Sequence, residues 1–437
     1  MGDGTTETDT IAPVPYRESV RVWGLVGLLS FGGPAGQIAT MHRIVVEERR
    51  WVSERRFLDA LNFCNLLPGP EAQQLATYLG WLQHGLKGAL TAGGLFVVPG
   101  FLTLLALSSL YVAAGHLPLV EAGFSGLKPA VVAVVAAAVI RIGRRSLATR
   151  WSVALAVMAF LALFAFRVQF PAVVAGAGIA GALLGPRLGR ASTPQSGTRP
   201  PLAGTLRTAV IGLACWWLPL LLVGAAFGPG HVFARLGLFF SQSALATFGG
   251  AYGVLSYVSQ QAVHHFNWVT PAEMIDGLAL AETTPGPLIL VLQFVGFLAG
   301  YRLGSPVAGW WGGLVGSMVT VWATFAPSIL LVLLGAPYIE WLRSRRRLQA
   351  ALAGITAAVT GVVANLGLWF AIRVLFRDHR VMSLGPARAD LPVLHSVSPA
   401  AVVIAGLAFV ALTRLRVGMI AVLAGAAGAG ILVHLFT

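Results

Sequence analysis

Continuous apolar runs, rather than alternating ones, dominate this chain. Runs rich in Leu, Ala, Val and Gly lie near residues 20–40, 57–81, 87–113, 118–140, 151–166 and 169–186, separated by short polar breaks. After a hydrophilic stretch they resume near 207–228, 232–258, 272–300, 307–336, 350–373, 398–413 and 416–435. Most approach the roughly 20 residues that an α-helix needs to cross about 30 Å of hydrocarbon. A closed barrel also satisfies its backbone within lipid, but it would show short alternating strands. The pattern therefore predicts an all-α, polytopic helical membrane protein of about 13 transmembrane segments.

Composition agrees: 57% of the 437 residues are hydrophobic and 11% charged, and the mean hydropathy is +0.78. Residues 1–19 are polar and carry Asp3, Glu7, Asp9 and Glu18 without a basic start or apolar core, so no secretory signal is expected. Residues 187–206, rich in Ser, Thr, Pro, Gly and Arg, read as a linker between two halves. The expected organisation is a first transmembrane repeat at 20–186, a connecting helix at 207–228 and a second repeat at 229–437. Cys64 and Cys215, both in apolar runs, offer neither a disulfide framework nor a metal site.

The two halves match without gaps at an offset of 217. Phe31, Gly32, Gly33 and Gly36 fall on Phe248, Gly249, Gly250 and Gly253; Trp51 falls on Trp268, and Asp59 on Asp276. Pro68, Gly69 and Pro70 fall on Pro285, Gly286 and Pro287. An offset of 228 then brings Pro99 onto Pro327 and Gly126 onto Gly354. These are internal repeats. Six spans, a linker and one unmatched span before the second copy would insert that copy upside down. Inverted repeats of this kind give a transporter inward and outward states of comparable energy.

The formal net charge of +14 comes from arginine, since Lys87 and Lys128 are the only lysines. Clusters at Arg141, Arg144, Arg145 and Arg150, at Arg187 to Arg207, and at Arg343 to Arg347 flank spans, as the positive-inside bias produces. This places the amino terminus in the cytoplasm. Two further basic loops, Arg43 to Arg56 and Arg373 to Arg388, then fall on the opposite face, so interfacial or re-entrant segments and a parallel arrangement stay open. No interleaved aromatic platform accompanies the arginines, and no nucleic-acid partner is expected.

Pro-Gly-Pro at Pro68 and Pro285 cannot be continuous helix, because proline removes a backbone donor and biases its predecessor away from helical angles. A half-helix should start near Pro70 and near Pro287, its free N–H groups forming an anion site. Kinks that serve packing are the competing reading. The Gly-rich segments at Phe31 and Phe248 permit close helix contact or line a substrate path, with Gln37 and Tyr252 beside them as donors. Lys128, near mid-span, is a candidate for substrate charge, or it snorkels. Glu71, Glu282, Asp59 and Asp276 are candidate proton carriers, the aspartates also being candidate helix caps. Asn62, Asn65, Gln73, Gln74 and Gln293 could bond substrate or neighbouring helices. No nucleotide-binding loop, nucleophile elbow, metal-ligand set or catalytic constellation appears, so neither a cofactor nor an enzyme is expected.

The stretch from FGGPAGQIATMHR to NLLPGPEAQQLATYLG, with the later FGGAYGVLSYV and ETTPGPLILVLQFVGF, closely resembles the chromate ion transporter family in its long, two-domain form. The resemblance covers most of both repeats. It implies an inner-membrane secondary transporter that expels chromate, with protons as the coupling ion, and antiparallel halves that arose by duplication. The residues themselves, rather than the resemblance, place the candidate substrate site at Phe31, Gly32, Gly33, Pro68, Gly69, Pro70, Glu71, Lys128, Phe248, Gly249, Gly250, Pro285, Gly286 and Pro287. Sulfate shares the shape and charge of chromate, and a passive anion channel is the alternative. A homodimer is neither required nor excluded by the residues.

Overall fold

The computed structural model describes residues 14–185, 202–248, 250–339, 345–384 and 387–436. Gly249 and most of the 187–206 linker lie outside these. The first repeat begins with short helices: α1 (Tyr16–Leu29), α2 (Gly33–His42) and α3 (Glu54–Cys64), followed by α4 (Glu71–Ala114). Helix α4 is two helices joined at His84 and Gly85, where the backbone leaves helical angles. Helices α5 (Pro118–Ser146), α6 (Arg150–Phe164) and α7 (Phe170–Leu184) complete the repeat. After α8 (Leu202–Phe227) comes the second set: α9 (Val232–Leu245), α10 (Ala251–Gln260), α11 (Pro271–Thr283), α12 (Val291–Leu303), α13 (Trp310–Gly335) and α14 (Arg346–Leu375). A hairpin of β1 (His379–Leu384) and β2 (Ala387–Pro392) precedes α15 (Pro399–Thr413) and α16 (Met419–Phe436).

Six helices among the described residues are long and apolar enough to cross a membrane, and five shorter ones are also apolar. Several runs expected as single spans are instead pairs of short helices. The 20–40 run breaks at Phe31 and Gly32, and the 57–81 run breaks at Pro-Gly-Pro, where proline and left-handed glycine end the helix.

The repeat reaches the level of single dihedrals. A π-helical turn follows α2 at Arg43–Glu48 and α10 at Gln261–His265. Each ends on a left-handed residue, Arg50 at φ 52° and Asn267 at φ 53°, before the buried Trp51 or Trp268. At an offset of 249, α6 and α7 match α15 and α16. Arg167 (φ 50°) corresponds to Arg416 (φ 53°), and the Val168-to-Ala162 and Val417-to-Ala411 backbone bonds are both 2.9 Å. The larger offset arises because the hairpin is inserted ahead of α15. Helix α8 has no counterpart.

The repeats run in opposite directions. Helix α6 starts beside the end of α5, while Arg167, just past its far end, pairs with Asp390, which also contacts Arg373 at the end of α14. The carboxyl-terminal ends of the matched helices α5 and α14 thus lie at opposite ends of α6. Each repeat also packs within the other, α5 against α15 and α16, and α14 against α6 and α7.

Glycine makes that interlocking possible. A side chain at Gly126 would overlap the Ala426 carbonyl, and one at Gly361 the Ala156 carbonyl. Without water, backbone-to-backbone approach of this kind is what holds membrane helices together.

At the centre the four helix breaks clasp one another. The Gly69 N–H donates to the Thr247 carbonyl at 2.7 Å, and the Gly286 N–H donates to the Ser30 carbonyl at 2.8 Å. Each Pro-Gly-Pro turn is therefore bound to the Gly-rich break of the other repeat. Gln37 adds a bond from Nε2 to the Gly286 carbonyl at 2.6 Å, and Gln74 donates to Pro68 at 2.8 Å. Gln73 accepts from Ser328 at 2.9 Å, and Gln293 donates to the Phe101 carbonyl at 3.0 Å. Gln37, Gln73 and Gln293 thus join the two repeats, and Gln74 closes its own Pro-Gly-Pro turn.

Overpacking costs about 1–3 kcal/mol even where neighbours can shift, and backbone cannot. Gly361→Leu is expected to lower the melting temperature and yield of folded protein sharply, whereas Gly94→Ala, with open space beside it, leaves both unchanged. Gly69→Ala is expected to destabilise as well, since φ is 137° there and a methyl would sit 2.8 Å from Ser328 Oγ. Thermal unfolding in detergent measures all three.

Candidate substrate cavity

A cavity of about 540 Å³ opens beside the clasp, and the ends of broken helices wall it. Pro34 and Ala35 from the start of α2, Glu71 at the start of α4, and Gly250 to Tyr252 at the start of α10 all line it. Helix starts present unpaired N–H groups and positive dipole ends. Asn62 and Asn65, at the end of α3, add amide groups.

Opposite these stand Ala138, Arg141, Ile142 and Arg145 of α5, on one face by their helical spacing. Among the described residues no carboxylate forms an ion pair with either arginine. Two guanidiniums and several helix starts around one concavity suit a compact oxyanion, which accepts forked N–H bonds on each face. Glu71 is the acid in this wall, close to Gly250.

A second acid lies behind the lining. Tyr252 faces the cavity and donates its hydroxyl to Glu282 Oε1 at 2.6 Å; the Glu282 side chain is buried, and Oε2 has no hydrogen-bond partner. An enclosed carboxylate with one donor is costly in its charged form in general. Tyr252 is the physical link between cavity and acid.

The sequence-derived candidates divide accordingly. Glu71 and Gly250 line this cavity, and Gly33 lies at its edge, about 4.0 Å from Tyr252 Oη by an added Cβ. Gly69 and Pro70 are buried in the clasp. Pro285, Gly286 and Pro287 are enclosed by protein, so the second half-helix start does not reach the cavity wall. Phe31, Pro68 and Phe248 flank the breaks, outside the lining, and Gly32 lies in a neighbouring cavity. Gly249 lies outside the described residues.

Lys128 is elsewhere. Its Nζ is 3.4 Å from Asp276 Oδ1, and Tyr111 donates to Asp276 Oδ2 at 3.0 Å. Neither Asp59 nor Asp276 caps a helix: both sit inside α3 and α11, whose caps are Ser53 and Thr270. The loop-to-helix junction expected at the aspartates lies six residues earlier, nearly two turns, at Ser53 and Thr270.

The repeat gives this cavity a counterpart, and part of the counterpart is packed with apolar side chains. Leu288 stands in place of Glu71, Trp369 of Arg141, Phe124 of Leu352 and Lys128 of Thr356. Leu255, Ala279, Leu288 and Leu366 at these matched positions are at most 2% exposed. Lys128, Asp276 and Tyr111 lie on this counterpart side.

Arg141 and Arg145 were legible only as members of a flanking cluster. Their periodicity with Ala138 was the available signal.

Comparison with known proteins accounts for the two-part plan. A family model described as Chromate transporter matches residues 18–182 and 234–431, which span α1 to α7 and α9 to α16 and omit α8. The chromate transport protein of Pseudomonas aeruginosa is 33% identical over 364 residues, 83% of this chain and 82% of that protein. The probable chromate transport protein of Synechococcus elongatus is 29% identical over 345 residues, 78% of this chain and 80% of its own. The chromate transport protein of Cupriavidus metallidurans is 27% identical over 367 residues, 83% and 84% of the two chains. No solved structure matches. With both repeats matched and the relatives aligned over most of their length, the chain belongs to the chromate transporter family.

Proposed function

We propose that this protein exports chromate, or a related tetrahedral dianion such as sulfate, across the inner membrane by alternating access coupled to protons. The observation that carries the reading is the contrast between an arginine-lined cavity and a counterpart in which Leu255, Ala279, Leu288 and Leu366 are buried. A carrier must expose its site to one face at a time. Two antiparallel repeats that pack alike can exchange roles, so that the counterpart opens and the Arg141 side closes. A channel through the same place would need both ends open together. The relatives' printed substrate selects chromate among oxyanions.

By the positive-inside bias, Arg141, Arg144, Arg145 and Arg150 mark the cytoplasmic face, with the amino terminus on that side. The cavity then opens to the cytoplasm, where an exporter collects its substrate. The dianion sits between Arg141, Arg145, Asn62, Asn65 and the starts of α2 and α10, and the basic rim concentrates it there. Opening the far side parts Lys128 from Asp276. Glu282, reached through Tyr252, and Glu71 in the wall exchange a proton for the departing anion.

Losing one charge-assisted contact costs about 1.5–3 kcal/mol, or roughly ten- to a hundredfold in affinity. Arg145→Gln is expected to reduce chromate uptake into everted vesicles by that factor. Glu71→Gln with Glu282→Gln is expected to abolish its dependence on an imposed pH gradient while leaving chromate exchange. Unaltered gradient-driven flux in the double variant would remove the proton assignment; competition by sulfate and molybdate reads the selectivity. In a background with Cys64 and Cys215 replaced, Ala353→Cys should react with a membrane-impermeant thiol reagent at least about tenfold faster than Leu255→Cys, its reactivity slowing when chromate is added.

A further inference from the structure

A second cavity, of about 970 Å³, adjoins the first, sharing Arg141 and Arg145 with it, and lies between α5, α15 and α16 with Gly32 also in its lining. Its two ends differ in chemistry. One end is basic, with Arg141, Arg144, Arg145, Arg414 and Arg416 in its lining. From there it runs along Ile140, Ala137 and Val134, with Phe409 and Leu412 opposite. Val134 to Arg145 spans about 16 Å at 1.5 Å per helical residue. None of the lining residues is acidic, and among the described residues no carboxylate pairs with any of the five arginines.

The repeat shows what such a place requires. At the matched position in the other half, Arg167 corresponds to Arg416 and Arg373 to Arg145. There Asp390, from the inserted hairpin, lies between the arginines, 3.4 Å from Arg167 and 3.9 Å from Arg373. One half thus carries its own anion between the arginines; in the other, Glu71 and Glu282 lie within electrostatic reach of Arg145 and Arg141, whereas Arg144, Arg414 and Arg416 have no ion-paired carboxylate among the described residues. The other has more positive charge, no hairpin and an open cavity.

We propose that this cavity binds an anionic phospholipid, its phosphate held by Arg144, Arg414 and Arg416 and one acyl chain lying against Ile140, Phe409 and Leu412. A basic cluster at the end of spanning helices meets the headgroup layer, and the apolar walls continue to the depth of acyl chains. A free oxyanion could use the arginines but would leave the apolar length empty. The bound lipid would tie α5 of one repeat to α15 and α16 of the other, as Asp390 ties α14 to the end of α6. Since Arg141 and Arg145 also border the first cavity, lipid occupancy would set the position of the substrate-facing guanidiniums.

The test uses full-length protein in detergent, with dioleoylphosphatidylglycerol, dioleoylphosphatidylcholine or sodium sulfate added. Native mass spectrometry reads bound lipid, and thermal unfolding reads protection. Phosphatidylglycerol is expected to be retained and to raise the melting temperature, and the other two are not. Each juxtamembrane arginine contributes about 1 kcal/mol, so Arg144→Gln, Arg414→Gln and Arg416→Gln together should weaken phosphatidylglycerol binding on the order of a hundredfold. The charge-matched Arg17→Gln, Arg21→Gln and Arg55→Gln should not. Thr413→Asp places a carboxylate in the lining, as Asp390 does in the other half. It should lower lipid retention even if the triple variant does not fold. Equal retention by Thr413→Asp and the unaltered protein would overturn the proposal, as would protection by sulfate equal to that by phosphatidylglycerol.

Discussion

Backbone that leaves the helix at membrane depth must find its hydrogen bonds inside the protein, and this requirement organises the molecule. Four breaks occur, two at Gly-rich segments and two at Pro-Gly-Pro. In each repeat the break that lacks an acceptor finds it in the other repeat: Gly69 at Thr247, Gly286 at Ser30. An unsatisfied group there would cost several kcal/mol, far more than the roughly 1 kcal/mol such a bond contributes in water. Neither repeat can therefore complete its own backbone, and the interlocked packing of α5 and α14 into opposite halves follows the same logic. Arginines and helix starts surround a cavity because the breaks that make them are gathered at one point.

The two sides of that point differ through side chains rather than backbone. The left-handed pairs Arg50 and Asn267, and Arg167 and Arg416, repeat to within a few degrees of φ, while Glu71 faces Leu288 and Thr356 faces Lys128 across the pseudo-symmetry. Small and polar residues leave space in one half; large apolar residues and an ion pair fill it in the other. Shape is shared, and occupancy is not.

Much of the architecture was legible because glycine, proline and tryptophan are irreplaceable where they act. Gly33 and Gly250 adopt φ of 70° and 93°, which other residues resist, so the recurrence of such glycines at a fixed offset revealed the repeat. The half-helix starting after Pro70 followed from the same stereochemistry. Long-range partners were not legible. Nothing local tells that Lys128 meets Asp276, 148 positions along the chain by their numbers, or that Tyr252 reaches Glu282. The caps were misread because Asp59 and Asp276 are stronger polar signals than Ser53 and Thr270, although the latter bond the first-turn amides. The match between α6 and α15 was hidden by the hairpin, which shifts the register at the point where sequence likeness fades.

Helix α8 lies outside both family-matched segments, yet it is long and apolar enough to cross a membrane, and a helix that crosses there sets parity. A duplicated unit threaded twice into a bilayer faces the same way or the reverse according to whether the intervening crossings are even or odd. Dropping this one crossing would turn the second copy over. Its Gly286 amide and the Ser30 carbonyl would then be carried to opposite leaflets, so an element that touches no substrate decides whether the halves can meet at all.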